Sequence, residues 1–162
     1  MSGLVNLIRH YSINQTHQPK TYNMAKTIIQ KVLFKNTQPG VLYELYMNAK
    51  KHSMVTGAAV SITAKEGSKY AAHGDYIKGK NLQLIKNRLI VQSWRASDWD
   101  ENDIDATFII NLEPKGKDVV LHAIHANLPD KQAGSIDKGW HDYYWNPWKQ
   151  YLAGKTITHA AM

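Results

Sequence analysis

The side chains that could do chemistry are few, and their spacing is informative mainly by what it rules out. His122 and His125 lie three residues apart in Asp118 to Ala126, a segment that alternates like a strand. A separation of three in a strand sends the two imidazoles to opposite faces, so they do not form a metal pair. No HExxH is present, and the chain has no Cys, which removes disulfides, thiolate catalysis and thiolate metal sites. Asp98 to Asp105 carries five carboxylates in the manner of a calcium loop. However, Asp103 stands at the sixth position where Gly is required, and Ile109 at the twelfth where Glu is required. The segment reads as a solvated turn, and only Trp99 and Ile104 within it could raise a carboxyl pKa. Gly74 to Lys80 has the GxxxxGK spacing, but Asn81 follows in place of Ser or Thr, in a strand–turn–strand context. No nucleophile elbow or dinucleotide fingerprint appears. The reading is no catalytic residue, no metal and no cofactor.

His125 and a set of aromatic residues remain. Strand alternation puts Val119, Leu121, Ala123 and His125 on one face, and Phe108, Ile110 and Leu112 on one face of the preceding segment. Three of the five Trp and three of the nine Tyr fall within Gly134 to Gly154. Taken as a regular helix, this stretch puts Ile136, Trp140, Tyr143, Tyr144, Pro147, Trp148 and Tyr151 on one face. Trp145 then lies about 140° around from Trp140, off the stripe and suited to a sheet edge, a contact with the tail or a partner surface. Trp148 and Tyr151 read as core. Trp140 and Tyr144 read equally as core or as the wall of a cavity shared with His125, which is itself either a satisfied core histidine or a group that orients a ligand.

The elements that must position these residues are legible. Residues 1–23 lack any period and read as a flexible tail, with a domain from Met24 to residue 155 and a short tail over 156–162; a chain starting at Met24 should still fold. Lys26 to Phe34 reads as a strand. Thr37-Gln-Pro39 reads as a helix entry with Thr37 as the cap, and Leu42, Leu45, Tyr46 and Ala49 form its apolar face. Lys50, Lys51 and His52 suit the end of that helix, with a short turn or second helix running to Gly57. Ala58–Ala64, Lys69–His73, Tyr76–Leu84, Arg88–Arg95, Asp105–Glu113 and Asp118–Ala126 read as six further strands joined by short turns, hence antiparallel neighbours. Strands followed by one long helix indicate α+β, a sheet of about seven strands with the helix laid across it.

With 162 residues the chain fits a single domain, and no apolar run approaches the roughly 20 residues of a membrane span. The apolar stretch at Leu4 to Ile8 is too short for a signal peptide, so the cytoplasm is the expected location. Of the net charge of +7, residues 1–52 hold seven Lys and Arg against Glu44 alone, and the remainder is nearly neutral. That distribution does not describe a nucleic-acid groove.

Taken together, Pro39 to Tyr46, His52 to Gly57, Leu89 to Arg95 with Trp99, Ala106 to Phe108, Leu121 to Pro129, and Gly139-Trp140 with Tyr144-Trp145 and Pro147 resemble a known family. It is the family named after the C-terminal domain of the activator of the heat-shock protein ninety ATPase, within the SRPBCC (START-like, helix-grip) superfamily. The resemblance covers residues 26–154. It implies a curved antiparallel sheet gripping the last helix, with a cavity between them, and in the wider superfamily such cavities take lipids, sterols and other apolar molecules. Eukaryotic activators add a separate N-terminal domain, which residues 1–25 are too few to form. The expectation is a non-enzymatic protein, monomeric or homodimeric, holding an apolar or aromatic small molecule or lipid. Trp94, Trp99, Phe108, Ile110, Leu121, His125, Trp140, Tyr143 and Tyr144 are the pocket candidates. A chaperone-regulating interaction protein linked to stress response is the alternative, and a cyclase or hydrolase built on His125 and Tyr hydroxyls a third.

Overall fold

Apolar residues alternating with polar ones lay six strands into one antiparallel sheet, described here by a computed structural model that covers residues 24–161. The strands are β1 (Ala25–Phe34), β2 (Lys69–Ala72), β3 (Ile77–Ile85), β4 (Leu89–Ala96), β5 (Ala106–Lys115) and β6 (Asp118–Pro129), ordered β1-β6-β5-β4-β3-β2. Phe34, Val32 and Gln30 of β1, and Leu112, Ile110 and Phe108 of β5, face the same way as Leu121, Ala123 and His125 of β6, and all are buried. This inner face holds the core. Two short helices, α1 (Pro39–Met47) and α2 (Ala49–Thr56), follow β1, and a long helical stretch closes the chain. The helix-grip expectation is met, with six strands rather than about seven.

The missing strand is Ala58–Ala64. It makes one isolated bridge, Ser61 to Ala71, and then its carbonyls turn inward. Asn81 Nδ2 donates to Thr63 O at 2.8 Å and Lys65 O at 3.1 Å, so a side chain takes acceptors that a ladder would have used. Gly79 permits the neighbouring β3–β4 approach, since a Cβ there would lie 1.9 Å from Ser93 O.

The first helical region also differs from the expected single helix. Asn48, at φ −93° and ψ 116°, breaks it, and the Asn48 side chain accepts the Lys51 N–H at 3.1 Å to start α2. Lys50, Lys51 and His52 therefore stand in the first turn of α2, at its positive end. Lys51 is offset by Glu44 at 3.5 Å. Thr37 is not the cap of α1: Gln38 occupies that position without a side-chain bond, and the buried Thr37 Oγ1 has no partner among the described residues.

The closing stretch is α3 (Asp130–Trp140), a π-helical segment (His141–Trp145) and α4 (Asn146–Leu152). Its start is four residues earlier than Gly134. The π segment, in which Asn146 N–H bonds His141 O, sits just before Pro147. Pro147 has no N–H to give Tyr143 O, and its ring would strike that carbonyl in a regular helix, so one widened turn accommodates it. The insertion rotates everything after Trp140. Trp145, expected off the stripe, is fully buried and stacks on Trp140 at 5.6 Å with 16° between planes. Tyr151, expected in the core, is 38 % exposed, whereas Trp148 is fully buried as expected.

Candidate functional site

The groove between the inner sheet face and the closing helix is where the sequence concentrates its candidates, and two histidines mark its ends. At one end β6 carries His125 between Trp94 of β4 at 4.8 Å and Phe108 of β5 at 5.1 Å. Trp140 lies over them from α3, stacked on Phe108 at 4.0 Å with 7° between planes. Trp140 Nε1 donates to His125 Nδ1 at 3.1 Å. An indole N–H can only donate, so Nδ1 is the acceptor and the imidazole proton resides on Nε2. That Nε2–H is buried and has no partner among the described residues. Burial pushes the His125 pKa down to about 3, so the ring is neutral.

The other end is built from α1, α2, the β2–β3 turn and the π segment. His52 Nδ1 donates to the Tyr46 carbonyl at 2.7 Å, because a carbonyl only accepts. His52 Nε2 therefore carries a lone pair and takes the Tyr144 hydroxyl proton at 3.2 Å. Tyr144 oxygen in turn accepts from His73 Nε2 at 3.3 Å. Burial lowers the His52 pKa to about 4, partly opposed by the Tyr46 carbonyl, and burial lowers His73 and raises Tyr144. Beside this relay Tyr46 hydroxyl donates to Gln92 Oε1 at 2.8 Å, and Gln92 Nε2 to Asn81 Oδ1 at 2.7 Å. Every polar atom in that chain is paired, as a dry interior requires.

Between the two ends the groove is occupied by side chains of the protein itself. Tyr144 lies 4.7 Å from Trp140 and 6.0 Å from Tyr46, while Trp145 and Trp148 meet Phe34 at 6.4 Å and 5.9 Å. Trp145 Nε1 donates to Gln30 Oε1 at 2.5 Å, and Gln30 Nε2 reaches Asp137 Oδ1 at 2.7 Å, pinning helix to strand.

Of the pocket candidates, Trp94, Trp99, Phe108, His125, Trp140 and Tyr144 form one continuous series of ring contacts, with Trp99 against Trp94 at 5.4 Å. Ile110 and Leu121 lie further along the inner face as buried core. Tyr143 stands apart at the rim, its hydroxyl on Ala161 O at 3.0 Å and its ring 5.2 Å from His73. The expected tail after residue 155 packs back in part, since His159 bonds Met54 O at 3.1 Å. A hollow of about 190 Å³ beside Trp99, lined also by Met24, Asp98, Asp130 and Lys131, lies at the His125 end. The Asp98–Asp105 turn is tied by Arg95, whose guanidinium donates to Asp103 O at 2.7 Å and Asp100 O at 2.6 Å. His122 faces outward and pairs with Glu113 at 2.9 Å. No group of three or more His, Asp or Glu among the described residues is placed to hold a metal ion.

Sequence reasoning missed Tyr46 as a polar contributor, and with it His52, His73, Gln92, Trp145 and Gln30. His52, Val55 and Thr56 recur at the spacing of a buried helix face, and Gln92 lies between inward Ile90 and Trp94, so signals for two of these were present.

The family model described as "Activator of Hsp90 ATPase homolog 1-like protein" matches residues 36–153. The chain belongs to this family. Among curated relatives, an activator of 90 kDa heat shock protein ATPase homolog from Dictyostelium discoideum is 25 % identical over 133 residues, 80 % of this chain and 33 % of that protein. Its human homolog 1 is likewise 25 % identical, over 70 % of this chain and 33 % of its own length. The chain thus spans about a third of the curated relatives it matches. Among solved structures, an HSP90 activator from Plasmodium falciparum superposes with a TM-score of 0.68 at 21 % identity, covering 82 % of this chain and 98 % of that one.

Proposed function

We propose that this domain is a protein-interaction module that binds a chaperone of the heat-shock protein ninety class and changes its ATPase rate. The observation that carries the reading is the filled groove: Trp140 stacks between Phe108 and Trp145, leaving the helix face as core. A groove occupied in this way supports a rigid scaffold that works through its surface. The names of the curated relatives, and of the Plasmodium structure, supply the partner class. A cytoplasmic setting belongs to the same reading. Isothermal titration of the full chain into a purified chaperone of this class, with the ATPase rate followed in parallel, tests it. Saturable binding with an altered rate is expected; no heat at high micromolar concentration would remove the proposal.

A second reading is favoured by one specific observation. His125 Nε2–H and Trp99 Nε1–H are buried donors without acceptors among the described residues, and the hollow beside Trp99 is separated from His125 by the Trp94 ring, which touches both Trp99 and His125. An unpaired buried donor costs roughly 1–3 kcal/mol, which a ligand acceptor would recover. On this reading the His125 end opens to take an apolar or aromatic small molecule or lipid with one acceptor atom. Native mass spectrometry of gently purified protein is the test, and an unliganded mass throughout would count against it.

A further inference from the structure

The strand register that turns His125 inward assembles a second feature on the opposite side of the sheet. Ile29 pairs with Ile124, Ile124 with Ile109, and Ile109 with Val91. Four β-branched side chains therefore line up across β1, β6, β5 and β4 on the outer face, a ridge spanning roughly 14 Å at the usual strand spacing. Ile29 is 76 % exposed, and the other three are half-buried by one another. Leu89, opposite Ile85, stands in the next outward row, and Leu33, opposite Val120, one row further, beyond Lys31 and His122. The helices pack on the inner face, so none of them covers it.

The charges around the ridge have one sign in excess. Lys31 stands next to Ile29 on the outer side of β1. On β2–β4, Lys69 lies directly opposite Lys80, and Lys78 directly opposite Arg95. Like charges placed opposite one another across a sheet are destabilising. Asp75 and Asp105 neutralise Lys78 and Arg95, but Lys31, Lys69 and Lys80 have no carboxylate partner among the described residues. An arrangement that weakens the isolated fold at this position is favourable when an anionic group binds there.

We infer that the outer sheet face is a docking surface for an acidic segment of a partner protein, apolar residues on the Ile29–Ile124–Ile109–Val91 ridge and carboxylates on Lys31, Lys69 and Lys80. Charge selects among the occupants. A second copy would oppose lysines with lysines. Residues 1–23 contain Arg9 and Lys20 and no acid, so they carry the wrong sign. An anionic membrane has the right sign. However, Thr107, Asn111, Gln83 and Ser93 share the outer face with the ridge, and a hydrocarbon phase would strip them of hydrogen bonds that a protein partner supplies. The surface does not depend on the chaperone reading, although a chaperone with such a segment would satisfy both.

The test is amide-shift mapping of the ¹⁵N-labelled full chain with three probes: a peptide of alternating Val and Glu, its Val and Lys counterpart, and vesicles of phosphatidylcholine with a minority of phosphatidylglycerol. Saturable shifts at Ile29, Ile124, Ile109 and Val91 are expected with the acidic peptide alone, weakening as salt rises. Ile29→Asn and Lys69→Glu should each weaken binding at least about fivefold. Lys69→Glu faces Lys80 with an opposite charge, so it preserves the fold and separates lost binding from lost structure. No shift, equal shifts with the lysine peptide, shifts with vesicles alone, or probe-free concentration dependence abolished by Ile29→Asn would each overturn the inference. In the same experiment a purified heat-shock protein ninety chaperone that binds without moving the outer face leaves the proposed function standing and sinks this one. A chaperone that does not bind, beside an acidic peptide that does, has the reverse effect.

Discussion

His52 and His125 sit at opposite ends of one groove, both buried to within 1 % of full burial and both neutral, yet they are held in different ways. His52 has each ring nitrogen engaged, one giving to the Tyr46 carbonyl and one taking from the Tyr144 hydroxyl. His125 accepts from Trp140 and its remaining N–H meets no acceptor among the described residues. The comparison separates a ring with both nitrogens paired, which ties α2 to α1 and to the closing stretch, from one on the sheet that a single bond from Trp140 and packing hold. It also locates where the groove is least complete: at the Trp94–Trp99–His125 end, beside the surface hollow.

The largest expected effect is on acid stability, and it acts on both ends at once. Each histidine has a folded pKa below its unfolded value, about 4 for His52 and about 3 for His125. Below about pH 6.5 the unfolded chain therefore takes up protons that the folded chain refuses. Stability is full above that pH and falls as pH drops, by up to about 1.4 kcal/mol per pH unit for each ring, through both until pH 4 and through His125 alone below it. Urea titrations between pH 7 and 4 check this, and a flat midpoint would mean that neither ring is held neutral.

Next in size is Trp140→Ala, expected to cost about 3–5 kcal/mol, because it removes the ring stacked between Phe108 and Trp145 and leaves His125 Nδ1 without its donor. A loss under about 1 kcal/mol would mean the groove is not the tightly filled core that supports the interaction-module reading. Smaller is Tyr144→Phe, about 1–3 kcal/mol, since it leaves His52 Nε2 without a donor and His73 without an acceptor. Its effect starts at the His52 end, but Tyr144 and His125 both contact Trp140, at 4.7 and 5.7 Å, so a double substitution should show coupling through that ring.

How far these two ends were legible follows from what each depends on. The sheet wall at His125 is a matter of parity: once His125 is inward with Leu121, and Phe108 with Ile110, strand alternation does the rest. The strands themselves are bounded by turn residues, which is why only Ala58–Ala64 went astray, where the Asn81 amide captured the Thr63 carbonyl and that of Lys65 just beyond. The helix wall was less legible. A regular wheel sets Trp145 off the stripe, and only the widened turn before Pro147 brings it onto Trp140. Pro147 was the available clue, because a proline inside a helical pattern must displace something. The His52 relay was not readable, since it joins residues 92 positions apart through a hydroxyl whose direction depends on that same turn.

The smallest expected effect is the most discriminating. His125→Leu removes the unpaired Nε2–H, a gain, and removes the acceptor of Trp140 Nε1, a loss of the same kind. The two changes nearly cancel, and at pH 7 the variant should lie within about 1 kcal/mol of the parent chain. Acid should then destabilise the variant about half as steeply between pH 6 and 4, through His52 alone, because the leucine side chain takes up no proton. If the variant instead loses more than Tyr144→Phe, Nε2–H must have had an acceptor in solution, and that acceptor was not a side chain of the described residues. Measuring that loss after extraction of the protein with organic solvent and refolding identifies the source. A deficit that disappears would show a bound molecule in the groove and favour the ligand-holding reading. One that persists would assign the acceptor to water, leaving the two ends equally closed.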